Sequence, residues 1–314
     1  MTEKILSNAS KKWSRLFIFR GNRGHLIFTV ITILVTLAIL GFLVYREREV
    51  LAGYEWRLRL WPAMLSFVFF IFAMLLPAVL WGQILNALGS RLTYLKHIQN
   101  YCISNVAKRI PGTVWYVASR AQLYKEDGID LKLTALASGI EMALITLSGT
   151  LVSAVFGFNI ILDQRINPWS LVAAFLIGCI FIHPRVVQFV FRLLKVEATM
   201  FSYKDILLWL IWYLVLWVIG GIVLFLIGNA VTPIPIQNLG YVIGSWALVG
   251  VLSSLLFFSP SNLGITEIGL SLLLGQIMPL SVGVVIAIAA RILIILFEII
   301  WASIFLGHKA LKQS

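Results

Sequence analysis

Four ionisable side chains lie within or beside apolar runs of sequence, where a charge is costly to place. They are Arg120, Glu141, Glu267 and Arg291. A charge at the centre of a membrane costs roughly 2.5–3.5 kcal/mol on insertion scales, so it normally faces a partner or a wet cavity. A guanidinium can bind a phosphate through two parallel hydrogen bonds, and a carboxylate can carry a proton or act as a general base. We therefore predict these four residues as a binding site for a lipid headgroup.

Structural interpretations of the same residues stay open at this stage. Arg291 could pair with Glu141 or Glu267 on another helix. Glu267 follows Gly264 at an expected helix start, where an acid caps free N–H groups and complements the helix dipole. Glu141 could sit at a shifted membrane interface, because the apolar run 133–161 is long for a span.

Two polar segments that contain proline and glycine interrupt the apolar sequence, and each precedes a long apolar helix. The first contains Pro111 and Gly112, and the second contains Pro260 and Gly264. Hydrocarbon cannot hydrogen-bond a broken backbone, so such breaks survive only inside protein or along a wet cavity. Corresponding breaks in the two halves of a chain indicate a transporter-like binding site. These four residues are the predicted structural breaks.

The composition is that of a polytopic integral membrane protein. Hydrophobic residues make up 60% of the chain and charged residues 12%, and the mean hydropathy is +0.96, whereas soluble domains contain roughly 25% charged residues. The net charge of +12 lies mainly in short loops, which is typical of loops that face anionic lipid and argues against a nucleic-acid partner. Nucleotide-binding, dinucleotide, metal-ligand and nucleophile-elbow motifs are missing from the sequence, so we expect no cofactor or metal, and transport without ATP.

We predict an all-α polytopic membrane protein with about seven or eight transmembrane helices. Residues 1–25 form a cytoplasmic basic tail, 26–306 a single transmembrane domain, and 307–314 a short C-terminal tail. Residues 97–123 and 259–279 are expected to be broken or re-entrant segments, and a two-fold internal repeat is a hypothesis. The clear spans are roughly 26–44, 61–83, 133–161, 206–228, 241–258 and 281–306, with 169–182 as a tilted or partial span.

The distribution of Lys and Arg predicts the orientation in the cell membrane. The N-terminus is placed in the cytoplasm with the loops 84–132 and 183–205, and the loops 45–60, 162–168 and 229–240 are placed outside. The C-terminal tail ends outside if 259–279 dips into the membrane and returns, and inside if this segment crosses. The basic residues of the tail favour the second arrangement.

At its two broken segments the chain resembles the flippase-like membrane domain of the lysylphosphatidylglycerol synthases and its stand-alone relatives. The family pattern is a Pro-Gly with a later arginine, followed in the second half by Pro-x-x-x-Gly-x-x-Glu. The residues at these positions are Pro111, Gly112, Arg120, Pro260, Gly264 and Glu267. Many members carry further glycines and an aspartate where this chain has Trp115, Tyr116 and Val117, so its substrate need not be the family's. The soluble aminoacyl-transferase domain is missing, so the chain is not expected to synthesise lysyl-lipid.

The resemblance implies the handling or translocation of a lipid, or service to a lipid-linked glycosylation pathway. We therefore expect a protein that is not an enzyme and that binds or translocates a lipid or lipid-linked headgroup. Its expected partners are membrane lipids, among them anionic lipids and lipid-linked sugars. One alternative is an integral membrane transferase that acts on a lipid-linked sugar, with Glu267 or Glu141 as general base. Another is a membrane scaffold for a partner glycosyltransferase.

Overall fold

The computed structural model describes residues 34–35, 38–106, 114–158, 160, 168–196, 199, 201–255 and 264–311. The regular elements in these ranges are all helical, with a short 3-10 turn at Ile236–Asn238. A helical stretch over 38–46 comes first. The helices after it are α1 (Arg48–Ala52), α2 (Leu60–Ala87), α3 (Tyr94–Val106), α4 (Val114–Glu126), α5 (Leu131–Phe156), α6 (Pro168–Ile182), α7 (Pro184–Leu193), α8 (Tyr203–Val231), α9 (Leu239–Leu255), α10 (Ile265–Leu274) and α11 (Leu280–Leu311).

The helices confirm the all-α polytopic membrane class. Among the described residues, five helices are long and apolar enough to span a membrane, and a sixth span exists if the bent pair α6–α7 counts as one. The five candidates, which qualify by length and composition, are Leu60–Ala87, Leu131–Phe156, Tyr203–Val231, Ile236–Ser254 and Leu280–Phe305. The fourth contains most of α9, which forms one arm of a hairpin described below. The five candidates correspond to five of the spans predicted from the sequence. The predicted span 26–44 lies partly outside the described residues. The expected total of seven or eight transmembrane helices refers to the whole chain, whereas the five or six candidates refer to its described part.

One end of the helix bundle is formed by the end of α2, the start of α5 and the segment between α7 and α8. Thr199 Oγ1 donates a hydrogen bond to the carbonyl of Ala87 at 2.5 Å. Lys132 Nζ donates to the carbonyl of Leu194 at 3.4 Å. We call this end the basic end.

The loop before α2, the loop after α8 and the start of α11 meet at the opposite end. The amide of Arg59 donates to the carbonyl of Ala230 at 2.9 Å. Glu47 Oε2 accepts from the amide of Ser281 at 2.8 Å. The described parts of the loops 84–132 and 183–205 share one end and those of 45–60 and 229–240 share the other, as the sequence predicted, while residues 162–167 lie outside the described residues. That the basic end faces the cytoplasm stays a prediction.

The antiparallel helices α3 and α4 form a first hairpin, which enters the bundle from the basic end. Lys96 and Asp127 form an ion pair of 2.8 Å at its mouth. Farther in, Arg120 Nε donates to Ser104 Oγ at 3.3 Å. The described parts of the segment 97–123 are therefore two antiparallel helices, and residues 107–113, where the break was predicted, lie outside the described residues.

The antiparallel helices α9 and α10 form a second hairpin, which enters from the opposite end. Tyr241, near the start of α9, donates through its hydroxyl to the carbonyl of Leu273 at 2.9 Å, close to the end of α10. At the inner end of the hairpin, the hydroxyls of Ser253 and Thr266 lie 3.2 Å apart.

The C-terminal ends of α3 and α9 lie at a similar depth inside the bundle. Asn105 Nδ2, near the end of α3, donates to the Sδ atom of Met74 at 3.4 Å. Near the end of α9, the hydroxyls of Ser254 and Thr146 lie 3.3 Å apart. At 1.5 Å per residue, Met74 and Thr146 lie about 20 Å from the basic ends of α2 and α5. The two hairpins thus approach the same level from opposite ends.

The two hairpin units have the same order of elements and opposite orientations. The first hairpin leads into α5, which starts at the basic end, and the second leads into α11, which starts at the opposite end. This is the arrangement of an inverted repeat, and the two-fold repeat hypothesised from the sequence takes this form. Because α11 starts at the opposite end, it runs toward the basic end.

Two long helices, α2 and α8, hold the units together by packing against each other and contributing to both large hydrophobic clusters. Gly220 and Gly221 of α8 allow α9 to approach closely. A Cβ atom at Gly221 would lie 2.6 Å from the Cα atom of Ile243, and one at Gly220 would collide with the indole of Trp246. The two glycines therefore permit close packing of α8 against α9.

Candidate functional site

The four predicted site residues form two ion pairs. Arg120 of α4 contacts the carboxylate of Glu141 on α5 through a guanidinium nitrogen. Arg291 Nε of α11 lies 3.3 Å from Glu267 Oε1 on α10. Each pair joins the second helix of a hairpin to the long helix that follows it. The positions of the positive and negative charges are exchanged between the two pairs. The short helix α4 carries the cation of the first pair, whereas the short helix α10 carries the anion of the second.

The first pair is sealed inside the protein. The side chains of Arg120 and Glu141 are 0% and 1% exposed. The guanidinium carbon of Arg120 lies 4.3 Å from the ring centroids of both Trp81 and Tyr101, a distance at which the ring faces attract a cation. Glu141 is thus held against a protein partner, and the pair is closed to a ligand in this conformation.

A chain of hydrogen bonds continues from the aromatic wall of this pair. Trp81 Nε1 donates to the Tyr124 hydroxyl at 2.8 Å, the hydroxyl lies 2.8 Å from His97 Nδ1, and His97 Nε2 lies 3.0 Å from Asn86 Oδ1. Because Asn86 Oδ1 can only accept, His97 carries its proton on Nε2 and accepts from Tyr124 on Nδ1. Burial lowers the pKa of His97, which lies on the non-spanning helix α3, to about 4, although Asp127 opposes this shift. The imidazole is therefore neutral at pH 7.

The second pair begins at the start of α10. Gly264 has φ of +101°, a conformation that glycine adopts without the steric cost of a Cβ atom. Glu267 Oε2 accepts from the amide of Gly264 at 2.7 Å, as the capping interpretation predicts, while Oε1 faces Arg291. One carboxylate therefore caps the helix and pairs with a cation on the neighbouring helix.

The second pair lines a cavity of about 50 Å³. A buried water needs roughly 10–15 Å³ by this measure, so the cavity has room for a few waters or a small polar group. The side chain of Arg291 is 18% exposed and that of Glu267 is 7% exposed. The lining residues are Trp246, Thr266, Glu267, Leu270, Ala287, Ala290, Arg291 and Ile294. This arrangement offers a guanidinium for an anionic group and a carboxylate for a proton or an amine.

Of the four predicted structural breaks, one lies within the described residues and three lie outside them. Gly264 is described and begins α10, whereas Pro111, Gly112 and Pro260 lie outside the described residues. Sequence reasoning missed the aromatic partners of Arg120, which come from α2 and α3. Only the fold brings them together, because no spacing in the sequence relates them to the arginine.

No family model matches the chain, and no curated protein sequence matches it.

Proposed function

We propose that this membrane protein binds the headgroup of a lipid or a lipid-linked sugar and moves it across the membrane without ATP. The observation that carries the proposal is the Glu267–Arg291 pair on the wall of a cavity inside a bundle of membrane-spanning helices. Charged groups at such depth are costly, and they mark substrate or ion pathways in many membrane proteins.

The two charges have different roles in this proposal. Arg291 binds a phosphate of the headgroup, because a guanidinium presents several N–H donors in a geometry that matches phosphate oxygens. Glu267 neutralises Arg291 when no ligand is bound. Once a phosphate has taken over the guanidinium, Glu267 can accept a proton or an ammonium group. Of the two carboxylates that could carry a proton, Glu267 is preferred to Glu141, since Glu141 is sealed against Arg120.

The inverted hairpins supply a route to both faces of the membrane. In transporters built from inverted repeats, one half moves against the other around a site near the midplane. In the conformation described here the first ion pair is closed and the second borders a cavity. If the first ion pair opened onto a cavity while the second became closed, the binding site would become accessible from the other face of the membrane.

Reconstitution of the full chain into liposomes tests the proposal. Movement of a fluorescent phospholipid and of a prenyl-phosphate sugar is measured against vesicles without protein. Arg291→Gln is expected to slow movement about tenfold or more, because a hydrogen bond to a charged group contributes about 1.5–3 kcal/mol. Glu267→Gln is expected to remove any acceleration by a proton gradient.

Arg57→Gln is the matched control, since Arg57 forms an exposed ion pair of 3.2 Å with Glu55 and lies away from the cavity. Movement with this variant should equal that of the original chain. The proposal is wrong if neither lipid moves faster than in empty vesicles. Formation of a new product from a lipid-linked donor by the purified protein would instead establish the transferase alternative.

A further inference from the structure

The short helix α7 changes direction relative to the helix before it. The axes of Phe175–Ile182 and Pro184–Leu193 differ by 60° at the break between them. His183 caps the start of α7 by accepting from the amide of Arg185 at 3.3 Å. The carbonyl of Leu194 at its other end accepts from Lys132. Both termini are therefore fixed at the basic end of the bundle.

One side of α7 packs on the protein, and the side that faces away is apolar. Val187 and Phe191 are 5% and 2% exposed and belong to the hydrophobic cluster that contains Trp209. Phe189 and Leu193 are 65% and 69% exposed. A helix inside a soluble assembly would not leave these two side chains uncovered, whereas a helix in contact with acyl chains can.

The remaining two edges of α7 differ in polarity. These two edges lie between its buried side and its outward side. At 3.6 residues per turn, the polar side chains fall on one of these edges and the apolar side chains on the other. The polar edge consists of Arg185, Gln188 and Arg192, and the apolar edge of Val186, Val190 and Leu193. An in-plane helix at a membrane surface has this distribution, with cations at the headgroups and apolar side chains below them.

Lys195, two residues after the end of α7, adds a further cation in an unusual conformation. Lys195 has φ of +54°, where most helices of this type end in glycine. Its amide donates to the carbonyl of Arg192 at 3.1 Å, and the amide of Val196 donates to the carbonyl of Phe191 at 3.0 Å. The helix therefore ends in a glycine-type turn that carries an exposed positive charge on the same end of the bundle.

We propose that α7 lies in the plane of the membrane surface at the basic end and binds anionic phospholipid headgroups through Arg185, Arg192 and Lys195. Phe189 and Leu193 insert among the upper parts of the acyl chains. The partner is the anionic lipid surface itself, because anionic headgroups attract clustered Lys and Arg side chains within a Debye length. This surface is separate from the Glu267–Arg291 cavity, so the proposal does not depend on the proposed transport.

Spin labels on single cysteines test this placement in the full chain. Cys179→Ala removes the partly exposed native cysteine, while Cys102 is fully buried and stays in place. The labels are introduced by Gln188→Cys and Arg192→Cys on the polar edge, and by Phe189→Cys and Leu193→Cys on the outward and apolar sides. Collision with oxygen and with a water-soluble nickel chelate is measured in phosphatidylcholine vesicles with and without phosphatidylglycerol.

The labels at 189 and 193 are expected to collide mainly with oxygen, and those at 188 and 192 mainly with the nickel chelate. Phosphatidylglycerol should move the 189 label deeper. Arg185→Gln combined with Arg192→Gln should abolish this shift, and Arg57→Gln combined with Arg59→Gln at the opposite end should leave it unchanged. All four labels in water, all four in hydrocarbon as part of a bent span, or no response to phosphatidylglycerol would each overturn the proposal.

Discussion

The two ion pairs differ in burial although their positions in the repeat correspond. Arg120 and Glu141 are enclosed by aromatic rings and a serine hydroxyl, whereas Arg291 and Glu267 border a cavity. Ionic groups sealed in protein are strongly destabilising when one partner is lost, because the other charge is left buried without compensation. The first pair is therefore expected to matter mainly for stability, and the second mainly for binding.

Loss of one charge of the sealed pair gives the first prediction at this scale. Arg120→Met should lower the free energy of unfolding by about 3–5 kcal/mol, because Glu141 then remains buried without its cation. Arg120→Met combined with Glu141→Leu removes both charges and should recover most of this loss. Thermal unfolding in detergent micelles, followed by tryptophan fluorescence, measures both effects.

The ion pair between Lys96 and Asp127 provides the comparison, since its side chains are 27% and 11% exposed. Lys96→Met should cost about 1 kcal/mol or less, as partly solvated pairs usually do. An equal loss for Lys96→Met and Arg120→Met, or a double variant no more stable than Arg120→Met alone, would contradict the explanation.

The charged residues could be identified from the sequence, but their partners could only be given as alternatives. Arg291, Glu267 and Glu141 stood out because charges are rare in apolar runs. The pairing of Arg291 with Glu267 was one of two options, since sequence spacing does not determine which helices become neighbours. The enclosure of Arg120 by Trp81 and Tyr101 depends on the depth to which α3 enters the bundle, and no local pattern encodes that depth.

At the scale of single elements, the ends of α7 show how local chemistry sets the direction of a helix. His183 is both the N-cap and the partner of the Tyr203 hydroxyl, whose oxygen lies 3.1 Å from His183 Nε2. At the other end, Lys195 takes the left-handed conformation that closes the last turn. The sequence predicted a tilted or partial span over residues 169–182, which ends directly before this cap.

Replacement of Lys195 by glycine is expected to stabilise the protein. A left-handed conformation costs a non-glycine residue roughly 1–2 kcal/mol, and glycine avoids this cost. Part of the gain is lost, because glycine has more conformational freedom in the unfolded chain. We expect Lys195→Gly to raise the free energy of unfolding by about 0.5–1 kcal/mol. Thermal unfolding in detergent measures the change in the absence of lipid.

Lys195→Ala serves as the control, because it removes the charge and keeps the Cβ atom. This variant should not be stabilised. Equal stabilisation of the alanine and glycine variants would show that charge repulsion, rather than backbone conformation, is the cause.

At the scale of the whole molecule, hydropathy predicted the spans well and the hairpins only in outline. Long apolar runs such as 206–228 identify spans because length and polarity suffice for that decision. The run 241–258 has a similar composition, yet α9 ends next to Thr146 and pairs with α10 as a hairpin. Hydropathy cannot distinguish these cases, because an apolar helix surrounded by protein and one surrounded by lipid have the same sequence character.

The inverted arrangement predicts which exposed positions share a side of the membrane. Gln237→Cys and Gln276→Cys should react with a membrane-impermeant maleimide from one side, and Glu126→Cys and Lys204→Cys from the other. Labelling of intact and inverted vesicles, in a chain that carries Cys179→Ala, provides the measurement. Gln276 is the decisive position, because reaction from the side of Lys204 would mean that α10 does not return to the end from which α9 enters.

The opposed hairpins also have a consequence for how the chain is assembled during synthesis. A helix end inside hydrocarbon leaves backbone carbonyl groups without partners, which is tolerated only where protein surrounds them. The end of α9 lies against Thr146 of α5, a helix made much earlier by the ribosome. We therefore expect α9 and α10 to reach their final positions only after α5 is in the membrane.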